Sequence, residues 1–128
     1  MNFTGLRYEY DRHLIHSKFF LKDVRLRTLS SSEEGAVQEY LNKASIVFSK
    51  TLALYDGDTF IAPYMLLSDG EWVWPSYLSY FISKEKQISE TFFDYIKKNN
   101  FVISPISQDV YAEIRYFIEK EMLGIDNG

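Results

Sequence analysis

A chain of 128 residues with a net charge of −4, 46% hydrophobic and 25% charged, is one domain's worth of sequence and too apolar for wholesale disorder. It has no cysteine, which excludes a disulfide framework and thiolate chemistry, and its ten tyrosines, each with a polar tip on an apolar body, cannot all be core. The charge is uneven: residues 1–28 carry six basic side chains against three acidic ones and the remainder eight against fifteen, a body that repels nucleic acid and attracts basic proteins.

The opening residues lack the apolar h-region of a secretory signal. No run approaches the roughly 20 apolar residues of a membrane span, so the cytoplasm is the expected compartment and a membrane role is not expected. The stretch to Leu29 is the least legible, because residues 19–29 fit either a short helix or an extended segment, and it stays open. Ser31, followed three places on by Glu34, matches a capping box and predicts a helix to about Lys43 that buries Val37, Tyr40, Leu41 and Ala44. From Ser45 the period changes to two. The pattern predicts a long strand with Ile46, Phe48, Leu52 and Leu54 on one apolar side and Val47, Ser49, Thr51, Ala53 and Tyr55 on the other. Asp56-Gly57-Asp58 turns the chain into a second strand over 59–67. Pro63 has no N–H to give a ladder, so that strand is expected at an edge or bulged there.

Asp69-Gly70 supplies the next tight turn, and Trp72, Val73 and Trp74 read as a short strand that completes a three-stranded meander. The two tryptophans point the same way, toward the helices that follow, as core. Pro75 suits a helical first turn and predicts a helix over 75–84, with Leu78, Phe81 and Ile82 facing inward. Tyr77 and Tyr80 fall on another part of that helix and are expected to be exposed. Ser89 caps a further helix with Phe92, Phe93 and Ile96 inward and Lys97 and Lys98 at its negative end, until Asn99-Asn100 breaks it. Residues 101–104 are a candidate fourth strand. Ser107 and Asp109 open a last helix with Val110, Ile114, Phe117 and Ile118 inward and Gly124 at its C′ position. The fold class is therefore α+β: a three- or four-stranded antiparallel meander packed against about four helices, in a single domain without repeats or linkers.

Little of this is reaction chemistry. His13 and His16, with Asp11 just before, have metal-ligand spacing, but no third strong ligand lies nearby, and packed or solvated histidines explain them better. No serine sits in a Gly-x-Ser-x-Gly elbow, and the six glycines are too dispersed for a phosphate-cradling loop. The carboxylate pairs Asp56/Asp58 and Asp69/Glu71 have the types needed for acid–base work, yet carboxylates at hairpin turns are usually turn-formers. A non-enzymatic protein without metal or cofactor is the expectation.

The run Asp69-Gly70-Glu71-Trp72-Val73-Trp74-Pro75, followed by Leu78, Tyr80 and Phe81, resembles small bacterial immunity proteins of polymorphic and contact-dependent toxin systems. The resemblance spans about residues 31–98, and the segment Lys84-Glu85-Lys86-Gln87 departs from it. It implies a cytoplasmic, non-catalytic protein that neutralises a cognate toxin, an RNase or DNase, by occluding a basic active site. Asp56, Asp58, Asp69 and Glu71 would then supply the charge and Tyr77 and Tyr80 the aromatic anchors, in a monomer or weak dimer without direct nucleic-acid contact. Two other readings stand beside it. One is a small-ligand or regulatory module with a pocket between the tryptophan strand and the helices; the other is a structural or phage-encoded interaction protein that self-associates.

Overall fold

A computed structural model describes residues 1–20 and 24–123; Gly124, the expected C′ residue, lies outside them. In chain order the elements are β1 (Asn2–Phe3), α1 (Tyr8–Asp11), a 3-10 turn (Ser17–Phe19), β2 (Leu26–Thr28), α2 (Ser31–Asn42), β3 (Ser45–Asp56), β4 (Thr59–Ser68), β5 (Trp72–Pro75), α3 (Leu78–Glu85), β6 (Gln87–Ser89), α4 (Glu90–Lys98) and α5 (Gln108–Phe117). A π turn over Ile118–Met122 continues α5. The class is α+β, and the meander β3-β4-β5 is present. The sheet is nonetheless mixed: its order is β1-β5-β4-β3, and β1 runs parallel to β5. A second, two-stranded sheet pairs β2 with β6.

The strand β5 is the wall between two cores. All four of its residues are buried, and the alternation of a strand sends Trp72 and Trp74 to one side and Val73 to the other. On the tryptophan side α2, α3, α4 and β6 bring Val37, Tyr40, Leu41, Ile82, Phe92, Phe93 and Ile88. On the Val73 side the N-terminal segment and α5 bring Leu14, Ile15, Phe19, Ile114 and Ile118 against Tyr64 and Leu66 of β4. The end of α5 is tied to the N-terminal segment by the His16 N–H, which donates to the Met122 carbonyl at 2.7 Å.

Several local expectations need correction. The capping box belongs to Ser30 and Glu33, one residue earlier: the Ser30 hydroxyl accepts from the Glu33 N–H at 3.2 Å, and the Glu33 carboxylate accepts from the Ser30 N–H at 3.0 Å. The long strand does not keep one apolar face. Its register against β4 shifts three times, so Val47 and Leu54 are both buried while Ile46 and Leu52 are exposed. One shift falls between Lys50 and Ala53, opposite Pro63, which is the bulge that proline required; β4 itself lies inside the sheet, but β5 pairs only with its Leu66–Ser68 end. Pro75 closes β5 instead of opening a helix, and α3 starts at Leu78. Ser89 does hold the N-cap position of α4, though its hydroxyl bonds that of Thr91 rather than the backbone. At the other end of α4, Asn100 and Phe101 take left-handed φ values of 56° and 58°. Residues 101–104 then form no strand; Phe101 and Ile103 pack on the tryptophan-side core.

Candidate functional site

Of the six residues expected to meet a partner, the fold gathers three. The β3–β4 hairpin turns at Asp56, Gly57 and Asp58, with Gly57 at φ 60°, a conformation that glycine adopts without strain. Asp58 projects into solvent at this tip. The Asp56 carboxylate accepts from the Tyr80 hydroxyl at 2.8 Å and from the Lys84 ammonium at 2.6 Å, which joins the turn to α3. The Lys84 bond, then that of Tyr80, holds the Asp56 carboxyl below the usual carboxylate range, and the same bond to Asp56 pushes the Tyr80 hydroxyl up.

Around these three residues the tip presents aromatic surface. Tyr55 and Phe60 are cross-strand partners, stacked edge to face with ring centroids 5.7 Å apart, yet they stay 52% and 54% exposed. A directly opposed aromatic pair of this kind stiffens a hairpin end and leaves a large apolar face in water. Tyr10 supports the pair from below: its hydroxyl donates to the Tyr55 carbonyl at 2.9 Å and its ring packs 4.8 Å from that of Tyr77. Burial, followed by the charges of Glu9 and Asp56, pushes the Tyr10 hydroxyl up, with the Arg7 charge opposing them. The end of the hairpin is thus an aromatic platform with Asp56 and Asp58 at its tip and Lys84 paired to Asp56.

Tyr55, Phe60 and Tyr10 are not among the residues that the sequence points to. A signal existed, because Tyr55 and Phe60 flank the Asp56-Gly57-Asp58 turn almost symmetrically. Placing Tyr55 with Val47, Ser49, Thr51 and Ala53, opposite the strongly apolar face of β3, conceals it.

The other three residues are elsewhere. Tyr77 is not an exposed anchor: with α3 beginning one residue later, Tyr77 sits in the preceding turn, 0% exposed, and donates its hydroxyl to the buried carboxylate of Asp11. Asp69 and Glu71 lie at the opposite end of the ten-residue β4, on the order of 30 Å away at the usual strand rise. Asp69 is occupied by the fold. One of its oxygens accepts from the N–H groups of Glu71 at 2.9 Å and Trp72 at 2.8 Å, and the other accepts from the Tyr40 hydroxyl at 2.5 Å. Burial and that bond push the Tyr40 hydroxyl up. Glu71 alone of this pair is exposed.

No group of three or more His, Cys, Asp or Glu side chains that could hold a metal is present among the described residues. His13 accepts from the Arg12 guanidinium at 3.1 Å, and His16 accepts from the Lys18 N–H at 3.3 Å. Among the described residues no helix is long and apolar enough to cross a membrane. No family model matches the chain, and neither a curated protein nor a solved structure matches it.

Proposed function

We propose that this is a non-catalytic binding protein of the immunity type, which neutralises a cognate toxin, an RNase or DNase, by covering its basic active site. The observation that carries the reading is the hairpin tip. Exposed Tyr55 and Phe60 stand beside Asp56, Asp58 and Tyr80 on a scaffold braced by α3 and the N-terminal segment. Interfaces of this kind use a few rigid aromatic anchors for affinity and a charged surround for the speed and direction of encounter. Tyr55 and Phe60 take the place of Tyr77 as anchors, and Asp69 and Glu71 form a separate acidic turn outside the contact. The cytoplasm is the compartment that suits such a role, with the protein acting as a monomer or weak dimer and making no direct contact with nucleic acid.

The test is to purify the protein with the toxin domain encoded immediately upstream and follow gel filtration. Co-elution supports the proposal and separate elution counts against it. In that complex Asp58→Lys is expected to slow association roughly tenfold at low salt and to flatten its salt dependence, read by stopped-flow fluorescence. Asp58 is exposed and forms no salt bridge among the described residues, so thermal stability should not change with it.

A second reading, a small-ligand module, is favoured by one observation. A cavity of about 700 Å³ opens between the N-terminal strand, Trp72, α3 and β6.

A further inference from the structure

That cavity is separate in its residues from the hairpin tip and carries an inference of its own. Its volume, about 700 Å³, falls inside the roughly 300–1,000 Å³ range of small-molecule sites. The walls are apolar: Phe3 from β1, Trp72 from β5, Leu78 and Ile82 from α3, and Ile88 from β6. The loop after β1 packs closely on α3. Gly5 approaches Leu78 so closely that an added Cβ would lie 2.8 Å from its Cδ1, and Gly5 has φ +77°, a conformation that strains any side chain placed there.

Three further features narrow the ligand. First, exposed apolar side chains collect at the mouth: Met1, Val24 and Leu26 all line the cavity and are left in water. Second, the cations that line it keep donors to spare. Arg7 lies over the Phe81 ring at 3.7 Å and gives one guanidinium nitrogen to Glu85 at 2.6 Å, while the side chain of Arg25 is 84% exposed and comes only to 3.7 Å from Glu90. A guanidinium carries five N–H donors, so neither is exhausted, and Glu85, which also lines the cavity, is paired with Arg7. Third, the buried indole N–H of Trp72 has no acceptor among the described residues. Spare donors at an apolar hole select a ligand that ends in an acceptor bearing negative charge.

We propose that the cavity binds a small amphipathic carboxylate, of the medium-chain fatty-acid class, with its chain against Phe3, Trp72 and Leu78 and its head group at Arg25 and Arg7. The probes are decanoate, decanol and decyltrimethylammonium, titrated below their micelle concentrations into the full chain by calorimetry, with tryptophan fluorescence as a second readout. Decanoate is expected to bind saturably at one site and to perturb the fluorescence of Trp72. Loss of a charge-assisted hydrogen bond should leave decanol roughly tenfold weaker, and the cation should not bind. Arg25→Glu alters an exposed side chain and should leave the far-UV spectrum unchanged. It is expected to weaken decanoate about tenfold while leaving decanol as it was. Equal binding of all three probes, absence of saturable decanoate binding, or an Arg25→Glu protein that takes decanoate as well as wild type would each overturn the assignment.

Discussion

Replacing Trp74 by alanine is expected to cost about 3–5 kcal/mol, the usual penalty for truncating a large buried aromatic, and so to consume a large part of the 5–15 kcal/mol that typically holds a domain together. The side chain is 1% exposed and stands at the centre of the tryptophan-side core, with its ring 5.2 Å from Phe92 and 6.3 Å from Tyr40. Those neighbours come from α4 and α2, so the cavity left behind would be lined by two separate helices that cannot close on it together. Urea unfolding followed by far-UV circular dichroism measures the loss. Trp74→Phe should be far milder, because the Trp74 indole N–H is buried without an acceptor among the described residues, and phenylalanine removes that unsatisfied donor while keeping most of the ring packing. If the alanine and phenylalanine variants lose equal stability, the packing account of β5 is wrong.

Asp11 gives the second large effect. It is 0% exposed, and its carboxylate accepts from the Tyr64 hydroxyl at 2.5 Å, from the Tyr77 hydroxyl, and from the Arg7 N–H at 2.7 Å. One side chain therefore fastens the N-terminal segment to β4 and to the start of α3. Asp11→Ala strands the two buried hydroxyls of Tyr64 and Tyr77, while the Arg7 N–H keeps the Tyr77 hydroxyl as an acceptor at 2.7 Å, and is expected to cost roughly 3 kcal/mol. Burial pushes the Asp11 carboxyl above its ordinary range and outweighs the three bonds that favour the anion. The native chain thus holds this proton to higher pH than the unfolded chain does. Its contribution is full below the unfolded carboxylate pKa and declines as pH rises from there through the native value.

Asp11→Asn cannot titrate, so the stability of wild type relative to this variant should fall as urea unfolding is repeated from pH 4 to 7. Glu33, held low by the Ser30 N–H and Arg27, and Asp56, held low by Lys84, act in the opposite sense and lose stability on acidification. They are common to both proteins, and the difference between the curves isolates Asp11. A difference that rose with pH would contradict the account.

What the sequence made legible was local. The Asn99-Asn100 break, the Ser107 cap and the in–out–in alternation of Trp72-Val73-Trp74 each follow from a few adjacent residues, and each is present. Three consecutive serines at 30–32 offered competing caps, and the choice fell to the one whose glutamate could also reach Arg27, at 2.6 Å. The bulges of β3 reverse which side is buried without changing residue type, so a simple period of two could not find them. Long-range partners were out of reach for the same reason. Nothing around Tyr77 marks it as the partner of Asp11, 66 residues away, and β1 is too short at two residues to announce a parallel pairing with β5. The separation of the two acidic turns, by contrast, was available: a hairpin strand of ten residues must put Asp56/Asp58 and Asp69/Glu71 at opposite ends.

The measurement that bears most directly on the functional account is the affinity of the upstream toxin domain for three proteins: wild type, a Tyr55→Ala/Phe60→Ala tip variant, and Glu71→Lys at the far turn, each with its melting temperature recorded. Both tip rings are half exposed, so the account predicts a loss of roughly 100-fold for the tip variant with folding intact, and near-wild-type binding for Glu71→Lys. Undiminished binding by the tip variant, with Glu71→Lys abolishing it, would place the contact at the other end of β4 and contradict the account.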